Sequence, residues 1–339
     1  MALPLFWDRK SGSKIAFFDF NAQVAFVSEM IEYMTSSLPE NISFVVRDAG
    51  DSQAVQNRQI VELIEEGSDL FIISAVDRLA CRTIVEKSSK YGIPIIFFNR
   101  EPLEDAFNIS NNVFYVGTEA DSLGIKQAEM VAELFTDDFM GSRFDKNNDG
   151  VVQLIILKGR HGHQDAEKRT ENSLKRLIEL GYTVDLLTTY AANWRRTDAY
   201  EAMRLLYAQY GDGIELIFAN NDNMALGAID YLTDAGVFSP GNDLYDNPIV
   251  IVGVDGSADG LKAVEEGLMY GTVHNDNKKQ SDAVLALMEY ILGGHDLESF
   301  PYQITDERFI FIDGDIITRN NLLEFKAASE TFRQSEFQR

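Results

Sequence analysis

Short apolar runs alternate with amphipathic helical patterns along this chain, and the alternation occurs twice. The runs are KIAFFDF, ISFVVRDAG, DLFIISAV, PIIFFNR and VFYVGTE in the first half, and VVQLIILKG, TVDLLTTY, IELIFANND, PIVIVGVDG and MYGTVHND in the second. Apolar strands separated by helices are typical of parallel sheets covered on both faces. The sequence therefore predicts an α/β protein of two doubly wound parallel-sheet lobes, with a groove between them that is lined from both sides.

The net charge of -24, from 54 acidic and 30 basic residues, limits the possible partners of the chain. Such a charge repels phosphate backbones and anionic membrane surfaces, so no nucleic-acid binding is expected. No run approaches the roughly 20 apolar residues of a membrane helix, which predicts no direct insertion into a membrane. The single Cys81 cannot form an internal disulfide, and we predict it on the buried face of a helix.

An oxygen-rich loop, DKNNDGVVQ, follows a helix predicted over roughly residues 120–138. Its oxygen donors have the alternating spacing of an EF-hand calcium loop. They are Asp145, Asn147, Asp149, the Val151 carbonyl and Gln153. Gly150 stands where the loop turns, but position twelve is Ile156 instead of the usual bidentate Glu, so a carboxylate distant in sequence must close the site. The alternative is a solvated Asn/Asp/Gly turn.

Polar side chains follow the predicted strands at their carboxyl ends, where open parallel sheets bind ligands. The densest group is His163, Asp165 and Arg169, directly after VVQLIILKG. The others are Asn99, Arg100, Asn220, Asn221, Asp222, Asp255, Asn275 and Asp276. Each alone is a common cap or turn residue, and a His-x-His metal site at His161 and His163 has no further Cys or His to support it. Together their donors and acceptors suit a neutral ligand rich in hydroxyl groups.

Two aromatic residues add flat apolar faces to this polar set. Phe26 lies early in the first helix and Trp194 lies in the loop after TVDLLTTY. Rings can cover the C–H faces of a pyranose while amides and carboxylates bind its edge hydroxyls, so the combination predicts a sugar site. The alternative for Phe26 is an ordinary core residue.

Several motifs resemble one protein family over nearly the whole chain, from Lys14 to Phe325. They are FFNREP, YVGT, DKNNDG followed by VVQ, GHQDAEKRT, IELIFANNDNMALGA, VGVDG, GTVHNDN and DIITRNNLLEF. The family is that of the periplasmic glucose/galactose-binding proteins, within the type I sugar-binding proteins. The resemblance implies an exported, non-catalytic protein that captures a monosaccharide and presents it to an ABC transporter permease or a chemoreceptor.

The resemblance also implies which residues bind what. The aromatic sandwich would fall on Phe26 and Trp194. The hydrogen-bonding set would fall on Asn99, Arg100, His163, Asp165, Arg169, Asn221, Asp255 and Asn275. The ligands of a structural calcium ion would be Asp145, Asn147, Asp149, Val151 and Gln153, completed by Glu215. Val24 stands where the family has an aspartate, and Arg100 where it usually has lysine, so the identity of the sugar stays open between a glucose/galactose-like hexose and a pentose such as xylose.

The implied architecture has two lobes joined by a hinge of three crossings, near 117–119, 274–276 and 306–309. The amino-terminal lobe would span 14–117 plus 276–306, and the carboxyl-terminal lobe with the calcium loop would span 118–275 plus 307–327. Residues 1–13 and 328–339 are expected to be flexible termini. The resemblance further implies a monomer in the periplasm or outside the cell, with any leader or lipid anchor lying outside this sequence.

Three other functions are alternatives to transport. An extracytoplasmic sensing domain of a signalling receptor would have the same ligand chemistry. A sugar-responsive repressor would need a basic helix-turn-helix where only MALPLFWDRKSGS precedes the first strand. An enzyme with His163 and Asp165 as acid and base is not expected, because the sequence has no phosphate loop, nucleophile elbow or catalytic metal set.

Overall fold

The computed structural model describes residues 12–136, 144–239 and 247–328. The chain forms two compact units, each discontinuous in sequence. Unit 1 comprises Met1–Thr118 and Asp276–Ile312, and unit 2 comprises Glu119–Asn275 and Asp313–Arg339. Most of the two segments predicted as flexible termini lies outside the described residues. Ser13, at the inner end of the first segment, is buried, and its carbonyl accepts a hydrogen bond from the Ser43 amide.

Strands and helices alternate through both units. The strands are β1 (Lys14–Asp19), β2 (Ser43–Asp48), β3 (Leu70–Ile73), β4 (Ile95–Phe98), β5 (Val113–Gly117), β6 (Val151–Lys158), β7 (Thr183–Ala191), β8 (Leu216–Ala219), β9 (Val250–Asp255), β10 (Gly271–His274), β11 (Phe309–Phe311) and β12 (Asp315–Thr318). The α-helices are α1 (Ala25–Ser36), α2 (Gln53–Glu65), α3 (Cys81–Ser89), α4 (Glu104–Phe107), α5 (Ala120–Thr136), α6 (Gln164–Glu179), α7 (Arg196–Tyr210), α8 (Asp222–Asp234), α9 (Ala258–Glu265) and α10 (Asn277–Gly293), and residues 322–328 are also helical. Short 3₁₀ helices cover Arg78–Ala80, Gly211–Gly213 and Leu297–Ser299.

Each unit has one six-stranded sheet. The strand order in unit 1 is β11-β5-β4-β3-β1-β2, with every pairing parallel. The order in unit 2 is β12-β10-β9-β8-β6-β7, parallel except for the antiparallel edge strand β12. The predicted fold class, two doubly wound parallel-sheet units, is confirmed.

The central strands are apolar throughout because both of their faces are covered. In β1, Ile15 and Phe17 belong to one hydrophobic cluster of unit 1, whereas Ala16 and Phe18 belong to the other. β6 alternates in the same way between the two clusters of unit 2. Successive side chains of a strand point to opposite faces, so a continuous apolar run is what a doubly covered sheet requires. Cys81 is fully buried at the start of α3, as predicted.

The chain passes between the units three times, and the third passage differs from the prediction. The resemblance implies that residues 307–327 belong to the carboxyl-terminal lobe, but β11 within that range pairs with β5 and belongs to unit 1. Ile312 is also buried in a core cluster of unit 1, and the passage to unit 2 follows it. The boundary implied by the resemblance therefore falls before β11, and this three-residue strand carries too little periodicity to show from the sequence which sheet it joins. Among the described residues, no helix has both the length and the apolar character needed to cross a membrane.

Candidate functional site

Six of the predicted binding residues lie at the carboxyl ends of four neighbouring strands of unit 2. The strands are β10, β9, β8 and β6, in that order across the sheet. The residues are His163, Asp165 and Arg169 after β6, Asn221 after β8, Asp255 at the end of β9 and Asn275 after β10. Because the strands are parallel and adjacent, these residues share one edge of the sheet.

Arg169 joins several of these residues. Its side chain is buried in α6, with 4% of the residue exposed, and its Nη1 donates to the Asn220 carbonyl at 2.8 Å. Nη2 lies 3.4 Å from Asp165 Oδ2 and Nη1 lies 3.8 Å from Asp255 Oδ1. The guanidinium carbon is 5.7 Å from the centroid of the Trp194 ring. Among the described residues, Arg169 Nε is a buried donor without a hydrogen-bond partner.

Trp194 provides a flat face beside this charged group. Its ring packs against the hydrophobic cluster under α7 and α8, and the His163 ring meets it edge-on with centroids 5.4 Å apart. A Cβ placed on Gly159, directly after β6, would lie 2.2 Å from the Trp194 ring. Only glycine therefore lets the ring rest on the end of the strand. The sequence predicted Trp194 but gave Gly159 no role, since the contact joins residues from two different strand ends.

Asn220 and Asn221 fix the arrangement around β8. Asn220 Oδ1 accepts from the Gly159 amide at 3.0 Å and from Thr170 Oγ1 at 3.2 Å. Asn221 caps α8 by accepting from the Met224 amide at 3.0 Å, and its Nδ2 lies 3.4 Å from the Trp194 carbonyl. Asn221 can therefore cap α8 and also lie in the site. Sequence reasoning placed Asn220 at this strand end without assigning it to the site.

Asp255 is held in an electrostatically unusual environment. The pKa of its carboxyl group is raised to about 8, mainly by burial. The Arg169 guanidinium opposes this shift, whereas the nearby Asp222 and Asp165 add to it. A side-chain hydrogen bond from Asn275 also lowers this pKa, and the Asn275 amide donates to the Asp255 carbonyl at 3.1 Å. Perturbed carboxyl groups of this kind are concentrated at functional sites.

The backbone provides a further indication. Asn99, Trp194 and Asp255 have positive φ values of 62°, 67° and 117°, which are uncommon for residues other than glycine. Such conformations cost free energy and are concentrated at binding and active sites, where the surrounding structure holds them in place. They are three of the eight described residues other than glycine with positive φ, and all three belong to the predicted sugar-binding set.

In unit 1, Phe26 is half-buried in the first turn of α1 and packs against the hydrophobic cluster that contains Phe20. Val24 precedes α1 as its N-cap residue and provides no side-chain cap. Asn99 follows β4, and its carbonyl accepts from the Tyr115 hydroxyl at 3.1 Å. The Asn99 side chain is half-buried.

Arg100 makes strong contacts within unit 1. Its Nη1 donates to the Val76 carbonyl at 2.6 Å and to the Ala75 carbonyl at 3.2 Å. The guanidinium lies 3.6 Å from the centroid of the Phe20 ring, and 8% of the residue is exposed. These contacts tie the end of β4 to the segment after β3. They give Arg100 a structural role in addition to its predicted contact with ligand.

The oxygen-rich loop of unit 2 is folded around its own side chains. Asp145 accepts from the amides of Asp149 and Gly150, at 3.1 and 2.9 Å. Asn147 Oδ1 accepts from the Asp149 amide at 3.0 Å, and Asp149 Oδ1 accepts from the Val151 amide at 2.8 Å. The amide groups of Asn147 and Gln153 both donate to Asp149 Oδ2. The structure therefore brings the side chains of Asp145, Asn147, Asp149 and Gln153 close together.

Glu215 lies at the base of the same loop. Only 1% of the residue is exposed, and its carboxylate accepts from the backbone amides of Lys146 at 2.8 Å and Gln153 at 3.2 Å. Burial raises the pKa of Glu215, these two hydrogen bonds lower it, and repulsion from Asp145 raises it. Gln153 Oε1 is a buried acceptor that makes no hydrogen bond within the described part of the chain.

The residue types of this donor set are those that bind a hard cation. No three His, Cys, Asp or Glu side chains form a metal-binding group within residues 12–136, 144–239 and 247–328. The predicted ligands include the carboxylates of Asp145, Asp149 and Glu215, which do not form such a group, together with amide and carbonyl oxygens of the kind that calcium accepts. A cation there would oppose the carboxylate repulsion and use the buried Gln153 oxygen.

Comparison with known proteins extends over most of the chain. The model of the periplasmic binding protein domain matches residues 15–296. The D-galactose/methyl-galactoside binding periplasmic protein MglB of Haemophilus influenzae is 30% identical over 286 residues, which are 84% of this chain and 82% of the relative. A xylitol-binding protein of Mycolicibacterium smegmatis is 26% identical over 316 residues, covering 88% of this chain and 82% of that protein.

Solved structures share the fold. An ABC transporter solute binding protein from Bacillus halodurans with bound myo-inositol has a TM-score of 0.76 at 24% identity, covering 94% of this chain and 99% of that one. A periplasmic solute binding protein from Actinobacillus succinogenes with bound D-allose has a TM-score of 0.75 at 22% identity, with coverage of 92% and 99%.

Proposed function

Because the chain belongs to the periplasmic binding protein domain family, we propose that it captures a glucose- or galactose-like monosaccharide for delivery to an ABC transporter. It is a sugar-binding protein of the transport type, and family membership implies a periplasmic location. Its relatives are substrate-binding proteins and not enzymes, which agrees with the prediction of no catalytic activity. A chemoreceptor as second partner, a lipid anchor and a monomeric state remain predictions.

One observation supports the proposal most directly. The buried Arg169 guanidinium lies between the Asp165 and Asp255 carboxyl groups and beside the Trp194 ring. Carboxyl oxygens in either protonation state accept hydrogen bonds from sugar hydroxyl groups, and the guanidinium donates to ring and hydroxyl oxygens. The indole offers an apolar surface to the C–H face of a pyranose. The arrangement suits a neutral polyhydroxylated ring, and we propose Phe26, Asn99 and Arg100 as contacts from unit 1.

The test is isothermal titration calorimetry with D-glucose, D-galactose, D-xylose, D-ribose and myo-inositol. We expect D-glucose to bind with the highest affinity and a pentose to be next. Arg169→Met serves as a comparison, since it removes the donors while keeping much of the side-chain length. If none of these sugars binds the wild-type protein, the proposed function is wrong.

Val24 provides a prediction about specificity. Val24→Asp should tighten hexose binding by about tenfold, because a hydrogen bond to a charged acceptor contributes roughly 1.5–3 kcal/mol. Valine cannot accept, so a sugar hydroxyl held against it would lose water without gaining a partner. The similarity to a xylitol-binding protein and this valine together favour a pentose as the second candidate ligand.

The measurement is the dissociation constant for glucose, galactose and xylose before and after the substitution. Val24→Thr is the matched control. Both new residues can cap α1, which stabilises the helix, but only aspartate adds a charged acceptor. Equal affinities in all three proteins would show that another residue determines specificity.

We also propose that the loop 145–153 and Glu215 hold a calcium ion with a structural role. Asp145, Asn147, Asp149, the Val151 carbonyl, Gln153 and Glu215 would be its ligands. Bound calcium would supply positive charge that offsets repulsion among the carboxylates. The loop precedes β6, whereas His163 and Asp165 follow the opposite end of that strand, so the ion is not expected to contact sugar.

A further inference from the structure

Asp222 is a buried carboxylate without an assigned role. It is the first residue of α8, with 1% of the residue exposed. Its Oδ2 accepts from the Ser257 amide at 2.7 Å and from Ser257 Oγ at 3.0 Å, and its Oδ1 accepts from Thr272 Oγ1 at 2.7 Å. The Gly256 amide also donates to it. Since Asn221 already caps α8, the Asp222 carboxylate is used for contacts with other elements.

Two glycines make room for this carboxylate. A Cβ on Gly253 would lie 2.1 Å from Asp222 Oδ1, and a Cβ on Gly260 would lie 2.2 Å from Oδ2. Gly253 is in β9 and Gly260 is in α9, so glycines on both sides of the β9–α9 turn allow its approach. Burial raises the pKa of Asp222 to about 6, while the hydrogen bonds from Thr272, Ser257 and Gly256 lower it. The surrounding donors therefore favour the ionised form of this group, whereas burial opposes it.

The residues that Asp222 binds are adjacent to the proposed sugar contacts. Gly256 and Ser257 directly follow Asp255, whose φ of 117° is strained for a residue other than glycine. Thr272 lies in β10, three positions before Asn275, and its Oγ1 accepts from the Gly256 amide at 3.3 Å. The carboxylate thus fixes the turn on which the Asp255 side chain is presented and links it to the strand that presents Asn275.

We propose that Asp222 is a positioning residue of the sugar site, which holds the 255–257 turn so that Asp255 and Asn275 are oriented for a sugar hydroxyl. This inference rests on the proposed function and goes beyond it by naming a residue that acts without touching ligand. Asp222→Asn keeps the shape but removes the negative charge and turns one acceptor oxygen into a donor, so Ser257 and Thr272 can no longer both donate to this side chain. The turn should then lose its fixed geometry, while the core around it stays filled.

The first measurement needs no sugar. Hydrogen exchange of the Gly256 and Ser257 amides should accelerate at least about tenfold in Asp222→Asn, because each loses a charged acceptor. Asp234→Asn, the same change at the other end of α8, should leave both rates unchanged. Unchanged exchange in Asp222→Asn would overturn the proposal.

The second measurement is a double-mutant cycle read by calorimetry with the best-binding sugar of the panel. Asp222→Asn alone should weaken binding about tenfold, because a charged acceptor is lost from the network. In an Asp255→Asn background it should weaken binding by less than about threefold, because only the part of its effect that acts through Asn275 is left. Full additivity of the two losses would overturn the positioning role.

Thr272→Val supplies a variant in case Asp222→Asn does not fold. It removes one donor to Asp222 and the acceptor of the Gly256 amide while keeping the shape of the side chain. Faster exchange at Gly256 and the same non-additivity with Asp255→Asn are expected, and their absence counts against the proposal. If the wild-type protein binds no sugar, the proposed function fails, and the exchange rates alone then decide whether Asp222 holds the turn.

Discussion

Trp194→Ala is expected to weaken sugar binding roughly 30-fold, because an aromatic face contributes about 2 kcal/mol through buried apolar area and ring contact. The ring lies beside His163 and the Arg169 guanidinium, so its loss removes the apolar wall and leaves the polar groups in place. Calorimetry with the best-binding sugar measures the loss. Far-ultraviolet circular dichroism should be unchanged, since Trp194 is only half-buried.

Gly159→Ala tests the same site by changing the residue against which the Trp194 ring packs. An added Cβ would lie 2.2 Å from the Trp194 ring, so the ring must move away from the end of β6. We expect weaker sugar binding in the same direction as for Trp194→Ala. Gly213→Ala is the matched control, because a Cβ there meets nothing within 4 Å. Unchanged affinity in both Gly159→Ala and Trp194→Ala would place Trp194 outside the sugar site.

The alternation of apolar runs and helical patterns was sufficient to predict two parallel sheets, because strands such as β1 and β6 are covered on both faces and therefore apolar throughout. The exception was β11. Its three residues join β5 through pairing across nearly two hundred residues of sequence, and no local pattern records such a partner. The resemblance implied a third passage before this strand, and the local sequence could not correct it.

The candidate site was predictable to the level of strand ends and no further. His163, Asp165 and Arg169 could be assigned to one edge because parallel strands end together. The contacts of Arg169 with Asn220 and Asp255 depend on side-chain conformation. The packing of the Trp194 ring against Gly159 depends on the positive φ of Trp194. Asp222 was named only as a possible cap, since nothing in the sequence shows that its carboxylate crosses to the turn after β9.

Removal of calcium is expected to lower the melting temperature of unit 2 by about 10 °C. A ligand present at a thousandfold excess over its dissociation constant stabilises the folded state by about 4 kcal/mol when the unfolded state does not bind it. For a unit of this size, each kcal/mol corresponds to roughly 2–4 °C. The physical source is relief of repulsion between Asp145 and the buried Glu215, whose pKa is raised by burial and by that repulsion.

The measurement is differential scanning calorimetry of protein treated with a chelator and then supplied with calcium or with magnesium. Calcium should restore the melting temperature, whereas magnesium should not, because it needs a tighter octahedral set of oxygens and keeps its own waters.

Asp149→Asn should reduce the response to calcium. Asp185→Asn, an exposed position on β7 opposite Gln153, should retain it. Sugar affinity at a temperature where both forms are folded should change little, because the loop and His163 lie at opposite ends of β6. A melting temperature that does not respond to calcium in the wild-type protein would identify residues 145–153 as a turn held by its own hydrogen bonds.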